Sequence, residues 1–186
     1  MTLEAMDWGA FEALYQTAMA EDFPAAERKP LPLLRRLWRE GVCSAWALLD
    51  DDGTRRAYAV LEQPPSGVAC LLDYLAVDAS VRGRGFGGEM LRQLASAHPR
   101  GAIMLEIERV ERAADAAQLA ERTRRRRFYL QNGVHPTGVF TRADGGIEYE
   151  ILALAPVPPS PVAAAAAMEG IYATLFAPGE TAVWTE

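Results

Sequence analysis

The stretch LLDYLAVDASVRGRGFGG, residues 71–88, decides how the rest of the chain is interpreted. It begins as an apolar strand, breaks at Asp78-Ala79-Ser80, and then brings two arginines and four glycines to the start of a helix. A glycine-rich turn of this kind exposes backbone N–H groups, and a helix N-terminus adds partial positive charge. Because both features attract phosphate, the stretch predicts a binding site for the pyrophosphate of a nucleotide-containing cofactor.

Composition restricts the possible functions. The chain has 186 residues, half of them apolar, which suits one globular domain with an appendage. A formal net charge of −6 argues against nucleic acid as a partner, because phosphate backbones attract basic surfaces. No apolar run approaches the ~20 residues that span a membrane, and the acidic N-terminus lacks the basic start of a signal peptide. We therefore expect a cytoplasmic protein with no nucleic-acid or membrane partner.

The two cysteines, Cys43 and Cys70, lie in apolar, strand-like runs. Their positions do not match the ligand spacing of a metal site. We expect two buried free thiols in a reduced protein and no bound metal.

The periodicity of apolar residues predicts two helices, three strands, a helix, a strand, a helix and two strands. Short turns join the first three strands, so these strands should be antiparallel, whereas a helix links the third to the fourth, so that pair should be parallel. This order predicts an α/β (α+β) fold with a mixed, mostly antiparallel central sheet flanked by helices. The expected helices cover residues 7–20, 33–40, 85–97 and 118–132, and the expected strands cover residues 42–49, 56–62, 68–77, 102–108, 134–142 and 147–154.

The C-terminal part of the chain is expected to be an extension. Residues 155–161, APVPPSP, are typical of a linker, and residues 162–176 are expected to form a helix. The last ten residues form either a final strand or no regular element. We therefore divide the chain into a domain over residues 1–155 and a Pro-rich linker with a helical extension over residues 156–186.

The glycine-rich residues 83–88 allow two interpretations, a dinucleotide-binding site and a purely structural turn. Residues 83–88 match G-x-G-x-x-G, and Glu106 and Glu108 follow about 20 residues later, as in a dinucleotide-binding fingerprint. Against this, five residues separate Val77 from Gly83, the preceding strands are expected to be antiparallel, and only one parallel unit is visible. A purely structural turn is the second alternative, although four glycines in six residues lower backbone stability.

A third interpretation rests on two motifs. Arg82-x-x-Gly85-x-Gly87, preceded by Leu75-Ala76-Val77, resembles the acetyl-CoA-binding motif of the GNAT family of N-acetyltransferases. The segment RFYLQNG, residues 127–133, resembles the family's second signature, an aromatic–Tyr pair near a helix end followed by glycine. The order of elements also fits the family over residues 5–155. The chain departs from the second signature at three positions, where Arg122 replaces an Asn, Arg125 a small residue and Val134 a Phe.

The resemblance implies transfer of an acetyl group from acetyl-CoA to an amine by direct attack in a ternary complex. The acceptor would be a small-molecule or peptide amine. A homodimer is left open as the assembly of the chain. The resemblance also implies that the backbone of the strand pairs with the pantetheine arm while the loop holds the pyrophosphate. The implied cofactor-binding residues are Leu75, Ala76, Val77, Arg82, Gly83, Arg84, Gly85, Phe86, Gly87 and Gly88. We expect the acceptor side to be bounded by residues 23–28 and by the turn over residues 141–148.

Two residues are the main catalytic candidates. Tyr129 matches the position where many family members carry a general acid, which would protonate the leaving thiolate. Asp73 lies within an apolar strand, where a charge is costly unless it is paired or used. Asp73 is therefore either a general base or one half of an ion pair with an arginine of the second helix. Glu106 and Glu108 are competing bases, and water is a further option.

The sequence also leaves a non-enzymatic alternative open. The same fold can serve as a non-catalytic module that binds CoA, or a partner protein through its acidic tail.

Overall fold

Fourteen helices and strands make up the part of the chain that the computed structural model describes, residues 1–65, 67, 69–98, 101–142 and 146–185. The helices are α1 (Trp8–Gln16), α2 (Ala18–Asp22), α3 (Leu31–Arg39), α4 (Phe86–Ala97), α5 (Ala116–Gln131) and α6 (Pro161–Leu175). The strands are β1 (Thr2–Ala5), β2 (Cys43–Leu49), β3 (Arg55–Glu62), β4 (Ala69–Val77), β5 (Ala102–Glu108), β6 (Val134–Arg142), β7 (Glu148–Leu154) and β8 (Ala182–Thr185).

The strands form a mixed sheet in the order β1-β2-β3-β4-β5-β7-β6-β8. β4 and β5 run parallel, with Ala69 opposite Ala102 and Leu72 opposite Leu105. The pairs β1–β2, β2–β3, β5–β7, β6–β7 and β6–β8 are antiparallel. The predicted fold class, a mostly antiparallel sheet with flanking helices and one parallel pair, is confirmed.

The chain divides into two compact units. The first contains residues 1–65 and 73–94, and the second contains residues 66–72 and 95–186. β4 therefore contributes its first four residues to the second unit and its last five to the first.

In the first unit, the predicted N-terminal helix is split in two. Asp7 begins α1 by accepting a hydrogen bond from the backbone N–H of Ala10 at 2.8 Å. At Thr17 the backbone leaves helical geometry (φ −112°, ψ −98°), and α2 follows. The expectation of one helix over residues 7–20 was wrong, because a local backbone break interrupts a continuous apolar face. Phe11, Leu14 and Met19 still point into the core of this unit.

In the second unit, α6 packs on the sheet and β8 extends it. Ala164, Met168 and Ile171 of α6 belong to one buried cluster with Val139 and Ile151 of the strands. β8 pairs with β6, with Ala182 opposite Arg142. The predicted helix near residues 162–176 is present, and the final residues include a strand. The domain boundary expected at residue 155 stays a prediction.

Among the described residues, no helix is both long and apolar enough to cross a membrane.

Candidate active site

The segment over residues 82–88, named here the glycine loop, joins β4 to α4 in the first unit. Asp78 begins a short 3₁₀ turn by accepting hydrogen bonds from the Ser80 N–H and hydroxyl at 2.8 and 2.6 Å. Gly83 and Gly85 then adopt φ values of +78° and +88°. Residues with a Cβ rarely adopt this left-handed region, so these two glycines are required by the backbone path.

The glycine loop fits a diphosphate group. A Cβ built on Gly83 or Gly85 would meet nothing within 4 Å, and both residues are exposed. The first N–H groups of α4, which begins at Phe86, have no acceptor within the helix. Left-handed glycines followed by a helix N-terminus form a concave anion site of backbone N–H groups. The loop therefore offers both the space and the donors that a pyrophosphate requires.

Arg82 already has partners within the protein. Its Nε donates to the Val77 carbonyl at 3.0 Å, and its Nη2 donates to Oδ1 of Asp22 at 3.0 Å. Asp22 also accepts a hydrogen bond from the Tyr58 hydroxyl at 3.0 Å. Burial, together with Asp22, raises the pKa of Tyr58. Asp22, which the sequence did not suggest as a site residue, thus holds the arginine side chain that is expected to contact the cofactor.

Asp73 lies next to a lysine. Its Oδ2 is 2.8 Å from the ammonium of Lys29, and that ammonium also donates to Oε2 of Glu62 at 2.9 Å. The expected arginine partner from the second helix is therefore wrong. The error arose because a loop more than 40 residues earlier in the chain brings the opposite charge, which no local pattern reveals. We name Lys29, Glu62 and Asp73 the lysine cluster.

The lysine cluster is buried and combines two carboxyl groups with one ammonium. The exposed fraction of the side chain is 17% for Lys29, 14% for Asp73 and zero for Glu62. Burial alone would lower the pKa of Lys29, but attraction by Asp73 and Glu62 outweighs it and raises that pKa. Lys29 therefore stays an ammonium and is not a nucleophile.

The loop that carries Lys29 is anchored by aromatic residues. The Tyr74 hydroxyl donates to the Glu27 carbonyl at 3.0 Å and accepts from the Lys29 N–H at 2.8 Å. The Tyr15 hydroxyl donates to the Lys29 carbonyl at 3.0 Å, and Phe23 packs edge-on against Tyr74. Residues 23–28, which were expected to bound the acceptor site, form the first part of this loop between α2 and α3. It lies within the first unit, beside Asp73.

The thiols of Cys43 and Cys70 are free and buried, as expected. Burial raises the pKa of each thiol to about 12, and for Cys43 the nearby carboxylate of Glu62 adds to the effect. Both thiols are therefore neutral and poor nucleophiles. Within the described ranges, no group of three or more His, Cys, Asp or Glu residues is placed to hold a metal ion.

Tyr129 lies on α5, in the second unit. Its ring packs edge-on against Phe128 at a centroid distance of 5.1 Å, and its side chain is partly buried. Burial raises the pKa of Tyr129 to about 12, against a smaller opposing effect of Arg125. The phenol is therefore protonated at neutral pH, which is the form that a general acid needs.

Three arginines of α5 pair with other carboxylates. Arg122 donates to Glu108 at 2.7 Å, and Arg126 donates to Glu150 at 2.7 Å. Arg125 donates to Glu121 at 2.8 Å, one turn earlier in the same helix. The pairs made by Arg122 and Arg126 tie α5 to the neighbouring strands. Glu108, a competing base in the sequence analysis, is therefore already held by a positive charge.

Glu106, the other competing base, accepts hydrogen bonds from two hydroxyls. The Thr141 hydroxyl lies 2.9 Å from its Oε1, and the Tyr172 hydroxyl of α6 donates to the same oxygen. The carboxylate thus joins β5, β6 and α6 within the second unit. The turn over residues 141–148 was also expected to bound the acceptor site. It includes residues 143–145, which lie outside the described residues.

The family of the chain follows from a match that covers most of its length. The model of the Acetyltransferase (GNAT) family matches residues 11–133, which include both motifs. The chain belongs to the GNAT acetyltransferase family. No curated protein matches it significantly.

Solved structures share the GNAT fold at low sequence identity. A Bacteroides thetaiotaomicron protein assigned to the GNAT family has a TM-score of 0.65 at 17% identity, covering 84% of this chain and 88% of that chain. Spermidine N-acetyltransferase from Vibrio cholerae, in complex with CoA and spermine, has a TM-score of 0.59 at 10% identity (82% and 94% covered). Aminoglycoside 6′-N-acetyltransferase from Enterococcus faecium has a TM-score of 0.59 at 15% identity (86% and 99% covered). At these identities the likeness shows the fold alone.

Sequence reasoning missed Lys29, Glu62 and Asp22. One signal was available for the first of them, since Lys29 is the only lysine in the chain. Glu62 ends a strand and Asp22 ends a short helix, so neither position stands out in the sequence. These residues become visible only when the loop after α2 is placed against β3 and β4.

Proposed function

We propose that this chain is an N-acetyltransferase that transfers an acetyl group from acetyl-CoA to a primary amine by direct attack in a ternary complex. The observation that carries the proposal is the glycine loop, with its exposed left-handed glycines at the N-terminus of α4. Membership of the GNAT family supports it. A neighbour of the same fold, spermidine N-acetyltransferase from Vibrio cholerae, is known in complex with CoA and spermine, which supports acetyl-CoA as the cofactor.

The cofactor would be held by backbone groups of the first unit. The N–H groups of residues 83–88 would bind the pyrophosphate, with Arg82 and Arg84 adding positive charge. The backbone of residues 75–77 would pair with the pantetheine arm, as the resemblance to the family implies. When bound, acetyl-CoA supplies a thioester whose carbonyl carbon accepts the amine nitrogen and whose sulfur leaves as a thiolate.

The protein's own residues would manage two protons. A primary amine is mostly an ammonium at neutral pH and must lose one proton before its nitrogen can form the new C–N bond. Asp73 is the candidate acceptor of that proton, directly or through water. Tyr129 is the candidate donor of a proton to the thiolate when the C–S bond breaks, and its raised pKa keeps it protonated until then. The second proton, which the nitrogen loses as it becomes an amide, would return to the Tyr129 phenolate through water.

The charge near Asp73 favours a cationic acceptor. The lysine cluster contains two carboxylates and one ammonium, and the chain as a whole has a formal net charge of −6. A positively charged amine would be drawn toward such a region at low ionic strength. The fold neighbours include enzymes named for spermidine and aminoglycosides, and an acceptor of that chemical class is the first choice for a test.

The proposal is tested in two stages with the purified full chain. First, acetyl-CoA should raise the melting temperature, whereas NAD and NADP should not, and stabilisation by NAD alone would contradict the assignment. Second, thiol release from acetyl-CoA should be stimulated by at least one member of a panel of polyamines, amino sugars and peptide N-termini. Tight CoA binding without turnover on any acceptor would instead support a non-catalytic CoA-binding module.

A further inference from the structure

Helix α5 is attached to the second unit in a different way from α6. None of its 16 residues is fully buried, and the side chains of Leu119 and Leu130 are 47% and 37% exposed. In contrast, α6 buries four residues, among them Met168 and Ile171. A surface helix is normally fixed by an apolar face that packs on the core. Because α5 has no such buried face, polar contacts must contribute much of its attachment.

Two arginines supply polar contacts between α5 and the sheet. Arg126 binds Glu150 of β7 at two points, since its Nε donates to Oε2 at 2.7 Å and its Nη2 donates to Oε1 at 3.0 Å. Arg122 donates to Oε1 of Glu108, the last residue of β5, at 2.7 Å and to the Arg109 carbonyl at 2.8 Å. A planar guanidinium that is bound at two points fixes a direction as well as a distance.

Both pairs are partly shielded from water. The exposed fraction of the side chain is 13% for Glu150 and 35% for Arg126, and it is 11% for Arg122 and 31% for Glu108. One partner of each pair is therefore nearly buried, and solvent ions screen such a pair less than a fully exposed one. The two pairs hold α5 at places that lie one helical turn apart.

Tyr129 lies on the side of α5 that carries these two arginines. Residues 122, 126 and 129 are separated by four and three positions, and residues at this spacing share one face of a helix. The Tyr129 hydroxyl has no hydrogen bond to any other residue that the structure describes. Its ring packs against Phe128, which belongs to the same helix. The position of the hydroxyl therefore depends on where α5 lies on the sheet.

We propose that Arg122 and Arg126 are positioning residues for acetyl transfer, which hold α5 against β5 and β7 through Glu108 and Glu150 and thereby place the Tyr129 hydroxyl as the proton donor. This inference rests on the proposed function. It also gives a role to Arg122, which stands where the second signature has an Asn, because this position ties the helix to the end of β5.

The test is a double-mutant cycle between Arg126→Gln and Tyr129→Phe. Glutamine has a helix propensity close to that of arginine but carries no charge. Because a displacement of about 1 Å can cost about 100-fold in rate, Arg126→Gln should lower kcat at least roughly 10-fold with the best amine of the panel, while the Kd of CoA changes less than about 2-fold. In the Tyr129→Phe background the same substitution should lower kcat less than about 2-fold, because the hydroxyl that it displaces is already absent.

Arg124→Gln is the matched control. Arg124 is exposed on the same helix and has no ion-pair partner within the described part of the chain, so kcat of this variant should stay within about 2-fold of the wild type. Arg126→Lys keeps the charge without the two-point contact and should recover part of the loss. If Arg126→Gln does not fold, Arg126→Lys takes its place in the cycle.

Three outcomes would overturn the proposal. The first is an equal loss of kcat from Arg126→Gln in both backgrounds, which is the result of a structural role unconnected with Tyr129. The second is a kcat of Arg126→Gln equal to that of Arg124→Gln. The third is an unchanged kcat in Tyr129→Phe alone, because α5 would then place no proton donor.

A measurement without turnover separates this inference from the proposed function. Hydrogen–deuterium exchange reports local opening of α5 in the resting protein. Arg126→Gln should speed the exchange of the α5 amides by about 5-fold or more, whereas Arg124→Gln should leave it unchanged. Unchanged exchange in Arg126→Gln would refute the attachment of α5 through its ion pairs. If exchange rises as expected but no acceptor gives turnover, the proposed function fails and the attachment stands.

Discussion

The glycine loop and the lysine cluster, both in the first unit, place chemistry in opposite ways. The glycine loop is one continuous segment, is exposed over residues 82–85, and is expected to act through its backbone. The lysine cluster comes from three separate places in the chain, is buried, and acts through side-chain charge. The contrast predicts that changes in the contiguous, backbone-acting motif affect binding more than stability, whereas changes in the assembled, buried cluster affect both.

The largest expected effect is on stability, at the lysine cluster. Lys29→Met removes the ammonium that contacts both Asp73 and Glu62, and breaking a buried ion pair in this way costs about 3–5 kcal/mol. Urea denaturation at pH 7 measures the change in the free energy of unfolding. Lys29→Met/Glu62→Gln is the matched control and should recover a large part of the loss. A loss below about 1 kcal/mol in Lys29→Met would mean that the two regions do not differ in their coupling to stability.

At the glycine loop the expected effect is on binding. Gly85→Glu places a negative side chain where the pyrophosphate is expected and should weaken CoA binding by about 1000-fold, since several charge-assisted hydrogen bonds are lost. Isothermal titration calorimetry measures the Kd. Gly41→Glu is the control, because Gly41 also has a positive φ, +72°, and open space for a Cβ, yet lies just before β2. If both variants lose CoA affinity to the same extent, the cause is backbone strain at a left-handed glycine and not a lost phosphate contact.

Tyr129 combines features of both regions, because a local motif predicts it but burial sets its ionisation. Tyr129→Phe removes the hydroxyl and should lower kcat by about 100-fold, within the usual contribution of a general acid. The Kd of CoA should change less than about 2-fold. Because the pKa of Tyr129 is raised to about 12, the wild type should show no loss of activity from this phenol between about pH 7 and 10. An unchanged kcat removes Tyr129 from the mechanism.

The smallest expected effect concerns Asp22, which connects the glycine loop to the protein's own charges. Asp22→Asn releases Arg82 from an ion pair at 3.0 Å whose arginine side chain is 60% exposed, so the pair contributes at most about 1 kcal/mol. CoA should therefore bind about 2–5-fold more tightly. This gain in CoA affinity should disappear in the double variant Asp22→Asn/Arg82→Ala, which lacks the released arginine. Weaker CoA binding in Asp22→Asn would show that Asp22 orients Arg82 for the cofactor and does not compete with it.

Much of the fold could be predicted because its signals are local. Strand β5 and the hairpin of β2 and β3 follow from short periodic runs and turn residues, and the parallel pair follows from the helix between β4 and β5. The split between α1 and α2 escaped prediction, because Thr17 lies in a run whose apolar face continues across it. An arginine of α5 was expected to pair with Asp73, but the observed partners, Glu108 and Glu150, depend on the register of strands far away in sequence.

The sequence by itself determined the glycine loop, since left-handed glycines before a helix are a property of a few consecutive residues. It also indicated two candidate catalytic residues. Tyr129 was indicated by its place in a motif, and Asp73 by its charge within an apolar strand. Only the tertiary structure decided that Lys29 and Glu62 surround Asp73, and that Asp22 holds Arg82. The physical reason is that opposite charges attract through space, and the folded chain sets their distances independently of their separation in sequence.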